Sequence, residues 1–538
     1  MTTYNLADLF ESVVDVIPER LALIAGDVRL SYAELEVRAN RLANHLLSLG
    51  LGVGDHVGIY AYNRAEWIET MWACFKIRAI PVNINYRYVE EELGYIFDNA
   101  DLKALVFERR FSPLISGITK DLPLLQHFIL IDDGSGIDGS DLSATSYENA
   151  MAAGSALRDF GPRTGDDIYM LYTGGTTGMP KGAMWRHEDL FFAALQGGNP
   201  AGDAVSSPEQ LAEVTASNTP FSTLCPVPMM HGGGQWYCMI YQLSGNTFVL
   251  YTDPHFDAGK ALQIIEQEHI VSIIIVGDAM ARPLAEAIAT GEHDTSSLFV
   301  IGSGGAILSK TVKDELKSLL PSAIIYDSFG ASETGSGGAV MDFDGEAQGP
   351  RFTLSPNLAI VDEQLRPIAP GSETVGRLAR CGHIPLGYYK DEKKTAETFP
   401  TDADGTRWVI PGDHGRVLED GTVELLGRGS VSINSGGEKI FPEEVEAALK
   451  GHPAVFDAGV IGLPDPRFGQ QVVAMVKPRD GEQPRLEDVV AYCRTRIAGY
   501  KCPKVLFLVD NIPRTPISKP DYRKLKTLAE SLMEQQGS

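Results

Sequence analysis

A chain of 538 residues is too long for one ordinary hydrophobic core, so at least two domains are expected, and 44% apolar with 22% charged residues is the composition of a globular protein. The formal charge of −25 disfavours nucleic acid and anionic membrane as partners, and no apolar run approaches the ~18 residues of a membrane span. Six scattered cysteines (Cys74, Cys225, Cys238, Cys381, Cys493, Cys502) lack the short paired spacings of a zinc site or disulfide framework, and the first basic residue is Arg20, so a reducing cytoplasm without a signal peptide is expected.

In chain order, Asp55–Tyr60 reads as a strand, Ala65–Ile77 as a helix and Ile80–Ile84 as a strand. Ile168–Tyr172 is a strand entering a glycine-rich loop. Ala261–Glu268, Ala279–Ile288 and Thr311–Leu320 then carry helical spacing, alternating with strands at Val271–Val276, Leu298–Ile301 and Ala323–Tyr326. This alternation predicts an α/β architecture, with helices covering a largely parallel sheet. From about 351 to 426, short strands separated by Gly, Pro and Asp-Gly turns predict a small β-rich subdomain.

After Gly427-Arg428-Gly429-Ser430 the pattern changes again. Pro442–Lys450 begins with proline followed by two glutamates, a helix start. Strands at Val455–Ile461, Gln471–Val476 and Val505–Val509 with a helix at Leu486–Ile497 make a compact α+β unit. The expected domains are 1–428 and 429–538. From Gly429 onward 15 Lys/Arg face 14 Asp/Glu, so the tail is near neutral beside a strongly acidic body. A polyanion seated between them is one reading; an ordinary solvated surface is the other.

The strongest local signal is Tyr172-Thr173-Gly174-Gly175-Thr176-Thr177-Gly178-Met179-Pro180-Lys181-Gly182. Glycines let backbone N–H groups approach an anion, threonine hydroxyls donate to phosphate oxygens, and Lys181 adds charge. A Walker A loop is excluded, because Met179-Pro180 separates Gly178 from Lys181.

This segment resembles the phosphate-binding loop of the adenylate-forming superfamily: acyl-CoA synthetases, peptide-synthetase adenylation domains and luciferases. The resemblance runs from about residue 5 to 525 and extends to further motifs in the expected order. It implies ATP binding by Thr173, Gly174, Gly175, Thr176, Thr177, Gly178 and Lys181. Asp327-Ser328-Phe329-Gly330-Ala331-Ser332-Glu333 is similar to the aromatic-Gly-x-Thr-Glu motif, with serine at Ser332 and phenylalanine at Phe329 in place of the usual threonine and tyrosine. There the aromatic stacks near adenine, and Glu333, together with Thr173, holds Mg²⁺. Gly305-Ala306-Ile307-Leu308 resembles the segment bordering adenine and acyl chain, with Ile307 in place of the family's proline, and Gly304 falls in the acyl pocket. Asp413 matches the aspartate that accepts the ribose hydroxyls, and Arg428 the arginine reaching ribose or phosphate.

Ser435, Gly436, Gly437 and Lys439 resemble the loop along the coenzyme A tunnel; a glycine turn without a ligand is the competing reading. Lys519 matches the catalytic lysine, although Ser518 replaces the usual glycine before it, and Ser430 stands at the pivot between domains. His231 with Gly232 and Gly234 matches the acyl-pocket gate; a structural histidine is the bland alternative. Glycines at 232–234, 335, 337 and 338 suggest a large acyl pocket. The wording of the motifs is most similar to actinobacterial fatty-acid and sterol side-chain CoA ligases. The resemblance implies a carboxylic acid, ATP and coenzyme A as small-molecule partners, with a homodimer as a candidate assembly. An enzyme loading a carrier protein, a luciferase-type oxygenase and a non-catalytic nucleotide-binding regulator are the rivals; absence of a carrier segment before Ser538 favours free coenzyme A.

Overall fold

The structure, a computed structural model, describes residues 2–173, 179–200, 202–306, 308–342, 351–428, 431–435, 438–465, 469–497, 499–515 and 520–537. In the first sheet the strand order is Gly387–Tyr388, Lys181–Arg186, Ile168–Thr173, Ile80–Asn83, His56–Tyr60, Leu102–Glu108, His127–Ile131 and Thr145–Ser146. It is parallel except where Lys181–Arg186 runs against both its neighbours. Strands His56–Tyr60 and Ile80–Asn83 are buried along their whole length, as helices covering both faces of a parallel sheet require.

The second sheet has a parallel centre of Thr247–Leu250, Ser222–Cys225, Ser272–Ile275, Val300–Gly304 and Ile324–Ala331. It turns antiparallel at Gly335–Asp342, and Arg351–Leu354 joins this strand to Val423–Arg428 of the β-rich segment. Two strands differ from expectation. Ile324–Ala331 runs well past Tyr326, and glycine-rich Gly335–Asp342 is a strand at all, because each supplies the other's ladder in register from Ile325–Asp342 to Ala331–Gly335. Phe329 lies over the glycines: a Cβ on Gly337 would come 2.3 Å from its ring.

Helices Leu6–Val16, Tyr32–Ser48 and Ala65–Lys76 pack together beside these sheets, with Phe10 and Trp72 stacked at 4.3 Å. Lys76, fully buried, reaches Glu11 at 2.7 Å and Glu36 at 2.6 Å, and Arg163 also pairs with Glu11. Glu36 also meets Arg158 and Arg163 also meets Asp8, so Lys76, Glu11, Glu36 and Arg163 each have at least two opposite partners and the network ties the first helix to the body.

The chain passes from the second sheet to a third between Arg428 and Ile433. The third sheet pairs Val455–Asp465, Gly469–Pro478, Ile433–Ser435, Glu438–Ile440 and Val505–Leu508. One apolar cluster beneath it contains helices Pro442–Lys450 and Leu486–Cys493; another includes Leu525 and Ala529 of a last helix, Tyr522–Gly537, that the sequence reading does not anticipate.

Candidate active site

The phosphate-loop motif sits between two antiparallel strands rather than between a strand and a helix: Thr173 pairs with Lys181, and Tyr172 with Gly182. Residues 174–178, which include Gly174, Gly175, Thr176, Thr177 and Gly178, lie outside the described residues. Lys181 forms an ion pair with Asp391 at the N-cap of helix Glu392–Thr398. Behind the motif is Asn83, a buried residue the sequence reading missed. Its side chain accepts from Tyr172 N (2.8 Å) and donates to Tyr172 O (2.9 Å) and Met230 O (2.7 Å). One amide thus ties the phosphate strand to the segment before His231. Its signal is a lone polar side chain at the end of an apolar buried strand.

Glu333 follows the Ile324–Ala331 strand, where the first two sheets meet. Trp185 Nε1 of the first sheet donates to Ser332 O at 2.9 Å, and Tyr388 OH donates to Glu333 Oε1 at 2.9 Å. Thr334 Oγ1 accepts from Ala331 N at 3.1 Å. Buried Arg380 donates to the carbonyls of Thr334 (2.8 Å), Ser336 (2.9 Å) and Ala193 (3.3 Å). Desolvation pulls its guanidinium down to about 10. Tyr388, Trp185 and Arg380 orient the acidic motif from both sides, and sequence reasoning passed over all three.

Gly304 ends its strand opposite Ser328, and Gly305, at φ +77°, faces open space, as Ala306 follows it. Ser328 and Phe329 are half-buried, and Gly330 is exposed between Phe329 and Ala331. Asp327, which opens the motif assigned to the nucleotide, is buried. Successive side chains alternate across a strand, so Asp327 faces away from Ser328, towards Ser303 and Asp278. Burial pushes its carboxyl up to about 7.

Asp413 and Arg428, fifteen residues apart in sequence, are direct partners across a two-stranded ladder. Gly412, at φ +104°, turns the chain into it, a conformation that favours glycine. In the third sheet Ser435 opposes Glu438, and Asn434 opposes Lys439. Gly436, Gly437, Ser430 and Lys519 lie outside the described residues. The segment flanking Lys519 is anchored: Arg514 bridges to Pro520, Asp521 N donates to Pro513 O at 2.9 Å, and Arg514 meets Asp457 at 2.6 Å.

His231 stands at the N-cap of helix Gly232–Leu243. The approach to it is held by Asn63, which binds Met229 N and the Val227 and Tyr251 carbonyls, and by Gln235 on Met229 O. The glycines nearby do not open a pocket as expected. A Cβ on Gly234 would lie 2.6 Å from the Pro228 carbonyl, on Gly232 2.6 Å from Leu171, and on Gly335 2.6 Å from the Ala193 carbonyl. The space they leave is filled by protein.

The AMP-binding enzyme model matches residues 10–389, and the AMP-binding enzyme C-terminal domain model matches residues 444–519. The chain belongs to the AMP-binding enzyme family. Among members of that family, it is similar to the medium/long-chain-fatty-acid–CoA/3-oxocholest-4-en-26-oate–CoA ligase of Mycobacterium tuberculosis (strain CDC 1551 / Oshkosh), 48% identical over 98% of this chain and 96% of the relative. The 3-oxocholest-4-en-26-oate–CoA ligase of Rhodococcus rhodochrous is 48% identical over 97% and 95%. The fold is similar to that of the anthranilate CoA ligase AuaEII in complex with anthranoyl-AMP, with a TM-score of 0.84, 24% identity and 99% of each chain covered.

The residues present fit the magnesium ion that accompanies ATP in this family. Among the described residues no cation pairs with the half-buried Glu333, whose carboxylate keeps Oε2 beyond the Tyr388 bond. No group of three or more His, Cys, Asp or Glu side chains forms a protein cage among them. One carboxylate plus substrate phosphates is the usual holding for magnesium.

Proposed function

We propose that this AMP-forming acid–coenzyme A ligase acts on medium- to long-chain fatty acids or steroid side-chain acids, by way of an acyl-adenylate. The observation that carries the site is the meeting of Glu333, Tyr388 and the Thr173–Lys181 ladder where two sheets join. The acid class rests on the 48% identity to the mycobacterial ligase over 98% of the chain.

In the first step a carboxylate oxygen attacks the α-phosphorus of ATP, the bond to the β-phosphate oxygen breaks, and pyrophosphate leaves. Two anions must meet, so catalysis is positioning and charge stabilisation. Glu333 and Thr173 would hold magnesium, which when bound would supply positive charge to the phosphates. Thr173, Lys181 and the loop between them cradle the departing pyrophosphate; Lys181 exchanges Asp391 for phosphate. Ser328 and Phe329 border the adenine, and Asp413 and Arg428 hold the ribose. Lys519 bridges the α-phosphate and the attacking carboxylate. In the second step the thiol of coenzyme A attacks the acyl carbon, AMP leaves, and the thiol proton passes to solvent. The C-terminal domain turns at Ser430 between steps and brings Ser435, Gly436, Gly437 and Lys439 to the pantetheine.

The test is product balance across fatty, aryl and steroid carboxylates with Mg·ATP and coenzyme A. AMP, pyrophosphate and thioester are expected in equal amounts, with acetate poor. AMP formation without thioester, or benzoate as the best acid, would overturn the reading.

A further inference from the structure

Helix Gly277–Ala289 begins where strand Ser272–Ile275 ends, and its first turn is stitched to both ends of the segment that borders the nucleotide. Gly277 N donates to Ser303 Oγ at 3.2 Å, and Asp278 Oδ1 accepts from Ser309 N at 2.7 Å. One turn further on stands Arg282, only 5% exposed. Its one ion pair among the described residues is with Asp278, at 3.5 Å. What covers it is a ring from beyond the change of sheet: the Arg282 guanidinium lies 4.9 Å from the ring centroid of Phe456, on strand Val455–Asp465 of the third sheet.

Phe456 is aimed by its own backbone. Val455 pairs with Pro478 and Asp457 with Lys477, so residue 456 is the extra residue of a β-bulge. A bulge takes a side chain out of the ordinary alternation of its strand and re-aims it. Lys477 Nζ also stands 4.9 Å from this half-buried ring, which therefore meets two cations, one from its own sheet and one from helix Gly277–Ala289. The next residue, Asp457, takes Arg514 on both carboxylate oxygens, at 2.7 and 2.6 Å. Arg514 in turn opens the stretch, closed by its bridge to Pro520, in which Lys519 falls.

A buried guanidinium with one long ion pair needs further compensation, and an aromatic face supplies it. That compensation exists only while the third sheet sits against helix Gly277–Ala289. Turning the sheet away would return Arg282 to water and take the cation from the ring, so the contact favours one orientation over the other.

We propose that Phe456 is a positioning residue for adenylate formation: it docks the third sheet on Arg282 and thereby presents the Arg514–Pro520 stretch, with Lys519, to the nucleotide. This rests on the acyl-CoA ligase reading. Seating the ring fixes the adjacent Asp457–Arg514 pair relative to the helix that also frames Ser303 and Ser309. Its release frees the sheet to turn for the second step.

The experiment uses the full chain with Mg·ATP and a fatty or steroid acid. Single-turnover pyrophosphate release without coenzyme A reads the first step, and thioester formation from supplied acyl-adenylate reads the second. Phe456→Leu keeps apolar bulk and removes the aromatic face. It is expected to slow the first step about twofold to thirtyfold, the worth of a desolvated cation–π contact, and to leave the second at the wild-type rate or faster. Phe456→Tyr keeps the face and should restore the first step. Arg282→Met should slow that step as well, and combining it with Phe456→Leu should add little, because both remove one shared contact. Should Arg282→Met not fold, the comparison of leucine with tyrosine at 456 decides alone. A ring that only packs its bulge would lower both steps alike. Equal losses in both steps, no change in either, a loss confined to the second, or full additivity of the two variants overturns the proposal, while thioester formation by the wild type still supports the ligase reading. A wild type that releases no pyrophosphate with any acid overturns that reading and this inference with it.

Discussion

The Glu333 carboxylate is oriented by one phenol, Tyr388, and by backbone ties from Trp185 and Arg380 on either side of it. A hydrogen bond to a charged group contributes about 1.5–3 kcal/mol, so Tyr388→Phe should lower kcat/KM for Mg·ATP by about tenfold to a hundredfold. The magnesium dependence should move to higher concentration. An unchanged magnesium titration would mean that Tyr388 only fills space. Lys519→Ala should remove adenylate formation, with a loss of about 10²–10³ or more in rate, while thioester formation from supplied acyl-adenylate persists. Equal damage to both half-reactions would point to folding instead. Asp327 offers a pH test. Its folded-state value of about 7 lies above the usual carboxylate range, so the protonated form favours the fold. That contribution is complete below about pH 4 and is lost as pH rises to about 7. Asp327→Asn cannot titrate, so the melting temperature of wild type relative to variant should fall between about pH 4 and pH 7 and level off above that. A difference that stays flat or grows would reject the assignment.

At the scale of elements, the helix beginning at Gly232 meets the preceding turn so closely that Gly234 leaves no space for a methyl group. Overpacking of this kind costs about 1–3 kcal/mol. Gly234→Ala should therefore lower the melting temperature and depress turnover of short and long acids alike. A selective shift towards shorter acids would restore the view that Gly234 lines the pocket. The acidic motif shows a similar economy. The strand Gly335–Asp342 has almost no side chains at its start, which lets the Phe329 ring lie against it and Gly335 approach the Ala193 carbonyl. Arg380 then satisfies the carbonyls on both sides of Gly335.

Across the whole molecule, the change of sheet between Arg428 and Ile433 separates Asp413 and Arg428, proposed to hold the ribose, from the segments that carry Ser435 and Lys519. In the proposed mechanism one rotation there assembles the two half-sites in turn. Proline at 430 would fix φ near −65°, so Ser430→Pro should retain adenylation and lose thioester formation. Thioester formation from acyl-adenylate at the wild-type rate would place the pivot elsewhere.

The sequence by itself determined the α/β alternation and, through the order of its motifs, the family. Each depends on short spacing: helical and strand periodicity, proline and glycine punctuation, or a loop whose few residues must all reach one anion. Asp413 and Arg428 come face to face for a similarly local reason, because fifteen residues span one hairpin. Only the tertiary structure decided the rest. Tyr388 meets Glu333 across 55 residues, and Asn83 meets Met230 across 147. Nothing in local pattern distinguishes such residues from ordinary strand positions. The glycines at 232, 234, 335 and 337 were misread as room for substrate, because a missing side chain in sequence does not say what fills its place. Close backbone approach and ring packing fill it here.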